Sequence, residues 1–492
     1  MAKRPLLNCI LAFSLVLTLS ACGQAAPPSA SSSSTAPDVS DAPSPAQPLS
    51  LAVYADRSFH PILTDNRINL TLTPLLYEGL FQLDTSFTPQ KQLCSAYETS
   101  QDGLVWTFSL RPGVTFSDGT LLTAAHAVQS LELARSGASP YSGRFSCIGA
   151  ITALNERELS IALTRPNAAL PSLLDIPIVS SAGDYPPGTG PYRLTRQEDD
   201  SLALVPRDHA RPTIPLISVT RTQELTTALN QGALSLLVTD PSGTDSPAYS
   251  GTCRTVDYDT TSLIYLGFNT GKSPFHATPA RIAAAAALDR GALVSAAWSG
   301  HARAAVLPIH PVSPLYDESL ARQLPSPDNA GELAEQCGLS DRRVSLVVNR
   351  ENSYKVTAAH LIARQLEQQA GLSVAVSVLD WADYLNALSA GLFDLYLGEV
   401  TLSADFDLTP LLSTGGTLNY SRWRSDETDR LLSEFLAADA VSRPQAAGLL
   451  CTHLTGQMPI APLCFKRGSV LSLWSRTDEL TPTRANVFFG LE

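Results

Sequence analysis

Apolar and polar residues recur along this chain with two different periods, and the periods trade places repeatedly. In LSVAVSVLD (372–380) Leu372, Val374, Val376 and Val378 share one face of an extended segment, the period-two pattern of a strand. Immediately before it, Val356, Ala359, Ile362 and Leu366 recur every three or four positions, which predicts a helix that Ser353 can cap and Gly371 stops. Another helix is expected from Trp381. Segments such as LSLAVYA (around 50–55) and SLIYLGFNT (262–270) continue the alternation of strands with amphipathic helices. That rhythm predicts α/β architecture, with crossover connections and sheets covered on both faces.

One stretch combines several local signals. Val105 to Leu110 reads as a strand, Pro112-Gly113 and Asp118-Gly119 carry turn residues, and Thr123 can cap a helix that presents Ala124, Ala127, Val128 and Leu131 on one side. Every polar residue here has a structural task, so Asp118 is expected to shape a turn rather than to act as an acid.

The ends of the pattern change the picture. Lys3 and Arg4 precede an apolar run from Leu6 to Leu19 that is too short to span a bilayer, a signal-peptide pattern. It closes on Leu19-Ser20-Ala21-Cys22, which resembles the lipobox of bacterial lipoproteins and implies that Cys22 is lipidated after cleavage of residues 1–21. Residues 22–48 are rich in Ala, Ser and Pro and cannot bury a core, so they read as a tether. No second apolar stretch is long enough to cross a membrane. The 492 residues carry a formal charge of −12, which becomes more negative once Lys3 and Arg4 leave, and no basic patch is visible; nucleic acid is excluded as a natural partner. Six cysteines (Cys94, Cys147, Cys253, Cys337, Cys451, Cys464) stay in the body without any C-x-x-C pair. They form neither a zinc site nor a dense disulfide framework, and a bridge such as Cys451 with Cys464 or buried free thiols both remain open.

Catalytic motifs are missing. There is no G-x-S-x-G elbow, no H-E-x-x-H and no S-x-x-K. Gly271-Lys272-Ser273 imitates the end of a P-loop, but the glycine required five residues earlier is Leu266. Gly188-Thr189-Gly190 is followed by Pro191 rather than a helix start, so it is no dinucleotide fingerprint. The eight histidines never stand at i, i+4 or in a Cys/His cluster. Neither an enzyme, a cofactor nor a dedicated metal is expected.

LLYEGLFQLD (75–84), YETSQDGLVWTFSLRPGVTFSDGTLLTAAHAV (97–128), GTGPYRL (188–194), FNTGKSPF (268–275), RIAAAAALDR (281–290) and LDWADYLNALSAGLFDLYLGE (379–399) occur in an order that resembles the family 5 extracellular solute-binding proteins, the peptide-, dipeptide- and nickel-binding receptors of ABC importers. The resemblance implies a two-lobed clamshell with an extra domain inserted in the N-terminal lobe, closing over its ligand by hinge motion. It places the N-terminal lobe at 49–267 with the insert at about 80–185, the C-terminal lobe at 268–463, and a return to the first lobe at 464–492. It further implies a lipid-anchored monomer on the outer face of the bacterial cytoplasmic membrane that delivers short peptides to permease subunits. A sensor signalling through a partner, or a binder of a nickel chelate or other small solute, is the alternative.

The same resemblance supplies site residues. Peptide-binding members hold the ligand's amino terminus with an Asp of the second lobe, and Ala404-Asp405-Phe406-Asp407 stands at that place. The spacing departs from the usual one, so Asp405 and Asp407 compete, and capping the helical turn that begins at Leu408 is the other role open to Asp407. Arg350 follows the apolar strand VSLVVN (344–349) where some dipeptide-binding members place an arginine for the ligand carboxylate. Trp381 in WADYL either lines the cleft or packs its helix together with Tyr384. Asn269 bonds either ligand or hinge backbone, with the hinge favoured.

Overall fold

The computed structural model describes residues 47–208, 210–243 and 252–491. The signal segment, Cys22 and nearly all of the tether lie outside the described residues. Among these residues no helix is long and apolar enough to cross a membrane.

A four-stranded sheet of Leu51–Tyr54, Ile214–Val219, Leu202–Pro206 and Tyr192–Arg196, in that order, frames the first lobe. Leu51–Tyr54 is wholly buried, and it runs parallel to Ile214–Val219. Between its first and second chain passes lies the inserted domain: an antiparallel sheet of Cys94–Thr99, Val105–Leu110, Glu158–Leu163 and Ile148–Ala153, covered by the helix Ala124–Arg135. Its helix starts where the sequence suggests. The backbone N–H of Thr123 donates to His126 Nδ1 at 3.2 Å, and Ala124, Ala127 and Leu131 are fully buried. Asp118 Oδ1 accepts the Thr120 N–H at 2.9 Å, a turn role. The chain returns to the first lobe through Gly188 and Gly190. A Cβ on Gly188 would lie 2.0 Å from the Leu76 carbonyl oxygen, so only glycine permits this approach.

A larger sheet runs from the first lobe into the second, in the order Leu236–Thr239, Ile460–Ser472, Arg254–Phe268, Leu395–Thr401, Arg343–Asn349 and Ser373–Leu379, with Leu236–Thr239 packed on the first-lobe residues Ala52 and Tyr54. The last three strands run parallel, joined by the helices Ser353–Ala370 and Trp381–Ala390. Gly371 ends the longer helix at φ 65°, a left-handed cap. Its N-cap is Asn352, one residue before the expected Ser353, because the Asn352 side chain accepts the Lys355 N–H at 3.1 Å.

Two long antiparallel strands, Arg254–Phe268 and Ile460–Ser472, belong to both lobes. Val470 and Tyr258 pack into the core that holds Phe81 and Phe108, whereas Ile264, Leu266, Leu463 and Cys464 pack with Leu346 and Ile362. Their ladder breaks register between Asp259 and Leu263, which puts the crossing there, paired with Phe465 to Arg467. The boundary expected at 267/268 falls at the far end of the first of these strands. All six described cysteines are free thiols, and no disulfide joins Cys451 to Cys464.

Candidate functional site

Between the lobes lies a cavity of about 550 Å³, within the range of small-molecule sites. The strand Leu395–Thr401 delivers the second-lobe wall. After Thr401 the chain turns back at Phe406, which adopts φ 55° and is buried against the ring of Phe87 from the first lobe. With Phe406 directed into the core, Asp405 and Asp407 on either side of it both line the cavity.

The two carboxylates have different environments. Asp407 Oδ2 pairs with Arg165 Nη2 at 2.9 Å, and its Oδ1 accepts the Thr409 N–H at 2.8 Å at the start of the one-turn helix Thr409–Leu412. Burial works against the Arg165 guanidinium, but the bond to Asp407 outweighs it and raises its pKa. Asp405 is 3 % exposed. Its Oδ1 accepts from the Ser403 hydroxyl and the Asp407 N–H, and its Oδ2 accepts from Asn167 Nδ2 at 2.8 Å. Arg443 donates to the Asp405 backbone carbonyl at 2.8 Å. Among the described residues no cation forms an ion pair with the Asp405 carboxylate. The first-lobe wall therefore meets the second through Arg165, Asn167 and the Ala168 N–H, which donates to Leu436 O at 2.9 Å.

Further along the same wall, Arg144 pairs with Asp175, and Arg484 of the C-terminal segment donates to Thr261 Oγ1 at 2.6 Å. A second cavity of about 260 Å³ shares Leu70, Arg484 and Ala485 with the first. At its edge Lys466 lies 2.9 Å from Asp240 and 3.2 Å from Glu399, linking the lobes by charge. Behind Glu399, Lys355 is almost fully buried, and burial pushes its pKa down to about 8.

The other sequence candidates lie elsewhere. Arg350 is on the surface, 3.3 Å from Asp380, and donates to Val378 O. Both ends of the Asn269 amide are engaged by backbone: Nδ2 donates to Gly391 O and Phe393 O, and Oδ1 accepts the Gly271 N–H. Trp381 is 52 % exposed and stacks on Tyr384 at 5.8 Å. Neither it, Arg350 nor Asn269 lines the cavity that holds Asp405 and Asp407.

Arg165, Asn167, Asp175 and Arg484 were not among the candidates. One signal was available: Arg165, Asn167 and Asp175 are the only charged or amide residues between Leu159 and Val179. Polar groups in so apolar a run must find partners or face a ligand. Among the described residues no group of three His, Cys, Asp or Glu is placed to hold a metal ion. Cys147 also lines the cavity, and burial raises its pKa, which keeps the thiol protonated. Hydrogen-bonding groups and charges held apart by lobe contacts suit reversible capture of a polar solute.

The profile of the bacterial extracellular solute-binding proteins, family 5 (middle), matches residues 88–420. The glutathione-binding protein GsiB of Escherichia coli (strain K12) is 24% identical over 395 residues, covering 72% of this chain and 75% of that protein. Among solved structures, the periplasmic murein tripeptide-binding protein MppA in its unliganded open form aligns with a TM-score of 0.75 at 18% identity, over 87% of this chain and 93% of that one. HbpA2 from Haemophilus parasuis aligns with a TM-score of 0.74 at 19% identity, over 90% and 98% of the two chains. At these identities the structural matches establish the two-lobed fold.

Proposed function

This chain belongs to family 5 of the bacterial extracellular solute-binding proteins, and from that premise we propose that it captures short peptides between its lobes and delivers them to the permease of an ABC importer. The observation that carries the reading is Asp405: a carboxylate nine-tenths buried, facing an interlobe cavity, whose partners are all neutral. Arg165 and Arg443 act on it only from beyond ion-pair distance; a buried carboxylate with no cation in contact is costly, and a ligand ammonium supplies one. Glutathione and a murein tripeptide, after which two of the similar proteins are named, are of the same chemical kind. Asp407, already paired with Arg165 and holding the turn at Thr409, is the poorer candidate.

The reading extends to location. Cys22 is the proposed lipidation site, two acyl chains being enough for stable attachment, with residues 22–48 as the tether. Cys22→Ala should release the body into the medium or leave an unprocessed precursor; unchanged membrane retention and lipid labelling would overturn the anchor alone.

The test of capture begins with native mass spectrometry of protein purified from its own host, which should reveal a retained peptide. With that peptide, Asp405→Asn should weaken binding by about 2–5 kcal/mol. Acetylating the peptide's amino terminus should cost the unaltered protein a similar amount and the variant much less, the non-additivity of a direct pair. For Asp407→Asn the two losses should add. A peptide complex in which neither carboxylate couples to the amino group would discard the amino-terminus assignment, and a retained solute without any amine would discard the peptide reading.

A further inference from the structure

Resting on the reading that ligand binds beside Asp405 and Asp407, we propose that Phe87 is a positioning residue for capture: a first-lobe ring that holds Phe406, and through it the Ala404–Asp407 loop, in the shape that turns both carboxylates to the cavity. Phe87 does not itself line that cavity. It sits at the turn of the hairpin formed by Phe81–Leu83 and Pro89–Lys91. Asp84 fastens the turn: its Oδ1 accepts the Ser86 and Thr88 N–H groups at 2.8 and 3.0 Å, its Oδ2 accepts from Gln90 Nε2 at 3.0 Å, and its carbonyl accepts the Phe87 N–H at 3.1 Å. Phe87 is left at φ 64°, a left-handed backbone that a bulky side chain rarely adopts. Phe81 at the base of the hairpin packs with Phe108 in the first-lobe core, whereas Phe87 is buried in the second-lobe cluster of Ile309, Phe406, Leu432 and Phe465. Of residues 84–88 it alone is buried. The turn carries one ring out of its own lobe and into the other.

Phe406, which receives that ring, is strained in the same way, at φ 55°. Among the described residues these are the only two aromatic side chains on left-handed backbone, and they meet edge to face, with 5.9 Å between centroids at 85°. His310 completes the socket, 5.1 Å from Phe87 and 4.6 Å from Phe465. Strain of this kind persists only where the surrounding packing over-determines it. For Phe406, part of that packing belongs to the other lobe. The bonds that shape the loop depend on the same conformation: the Phe406 N–H donates to Ser403 O at 3.0 Å, the Asp407 N–H to Asp405 Oδ1 at 3.2 Å, and the Thr409 N–H to Asp407 Oδ1 at 2.8 Å. Without the Phe87 ring, Phe406 is free to leave the left-handed region, and the peptides on either side of it rotate together with Asp405 and Asp407. Asn167 and Arg165 bond the two carboxylates on the cavity side, and Phe87 holds the ring between them on the core side, so the first lobe grips this second-lobe loop on both faces. Joining of the lobes and assembly of the site are then one event.

The experiment uses the full chain without ligand and reads hydrogen exchange at the backbone amides of Phe406, Asp407 and Thr409. Phe87→Ala should speed exchange at all three by up to about 10-fold, the size of a lost aromatic pair, while the amides of the preceding strand Leu395–Thr401 change little. Phe87→Leu, which refills part of the socket, should restore part of the protection, and it decides the matter if Phe87→Ala does not fold. Phe116→Leu, a control that packs on His126 in the first-lobe core, should leave the loop amides at parent rates. Phe87→Ala combined with Phe406→Ala should exchange no faster than Phe406→Ala alone, since the ring contact is the route. With a mixed pool of dipeptides and tripeptides as the probe, affinity for the retained species should also fall by up to about 10-fold in Phe87→Ala. Loop exchange that stays at the parent rate, acceleration spread evenly through the second lobe, or affinity that is unchanged although the loop loosens would overturn the inference and leave peptide capture standing. A parent protein that retains nothing from the pool would overturn peptide capture, and the exchange rates would still decide whether Phe87 holds the loop.

Discussion

Where the two long strands cross between the lobes, Asp259 lies 2.9 Å from Arg303 and 3.2 Å from Arg467, and Lys466 sits between Asp240 and Glu399. In the adjoining cavity, the charged groups of Asp405 and Arg484 hydrogen-bond to hydroxyls, an amide and backbone groups, with Arg165 and Arg443 acting on Asp405, and Asp175 on Arg484, only from beyond ion-pair distance. Both regions bury charge, and the difference lies in whether the opposite sign stands in direct contact. Charges that answer one another within the fold hold the hinge strands in place. Charges left unanswered raise the energy of the empty protein slightly and become favourable when a ligand arrives. Pairing, rather than burial, separates framework from site here.

The hinge gives the largest expected effect. Lys466→Met leaves Asp240 with only Arg67 at 3.7 Å and Glu399 with only Lys355 at 4.0 Å, both carboxylates less than a third exposed, and removing the shared member of such a cluster should cost up to about 3–5 kcal/mol in chemical denaturation. A loss below about 1 kcal/mol would show that the hinge charges are as dispensable as surface ones. Acid should expose the same dependence. Burial alone would raise the pKa of Asp240, but Lys466 and Arg67 outweigh it, and Arg303 and Arg467 do the same for Asp259, so both carboxyl groups titrate below their ordinary value. Because the folded-state pKa is the lower one, their stabilisation is fully present above about pH 3.9 and disappears as the pH falls through the folded-state values. Urea midpoints between pH 7 and pH 3 should show this acid loss in the parent and less of it in Lys466→Met, where Asp240 has lost its main partner.

The contact across the cavity should respond less. Asn167→Ala removes the amide that joins the first lobe to Asp405, a hydrogen bond to a charged group, and should shift the balance between joined and separated lobes by about 1.5–3 kcal/mol toward separation. Interlobe distances from paired spin labels would report it. Global stability should change little, since each lobe keeps its own core. An unchanged distance distribution, with Asp405 intact, would mean that Arg165 with Asp407 and the Ala168 backbone bond hold the lobes without it.

How much of this was legible follows from how far apart the interacting residues stand in the chain. The strand Val105–Leu110 and the helix from Ala124 are encoded by turns and caps within a few residues, and they appear where the pattern puts them. The helix after Arg350 begins one residue early because Asn352 and Ser353 can both cap, and backbone geometry chooses between them. Asp405 and Asp407 were reachable through the family likeness. Their partners were not: Asn167 and Arg165 are 238 and 242 residues away from them, and no periodicity reports such convergence. Arg484 is harder still, since it sits in irregular chain after the last strand, and its place on the cavity wall is one that only coordinates reveal. For Asn269 the sequence left ligand and backbone open, and three backbone bonds now account for its amide.

Arg350 supplies the smallest expected effect and the sharpest control. Its guanidinium lies 3.3 Å from Asp380, with the two side chains 63% and 65% exposed, and such pairs contribute about 0–1 kcal/mol because water and salt screen them. Arg350→Gln should leave the denaturation midpoint within experimental error of the parent and should be insensitive to added salt. Affinity for the retained peptide should also survive, because Arg350 does not line the cavity and already pairs with a carboxylate of its own. Suppose instead that Arg350→Gln weakened binding as strongly as Asp405→Asn. The ligand would then be held by a residue that is paired and exposed in this arrangement and reaches it only after the lobes move. In that case the balance of charge in the empty cavity would be a poor guide to what fills it, and the contrast between an answered hinge and an unanswered site would have to be redrawn on the liganded form.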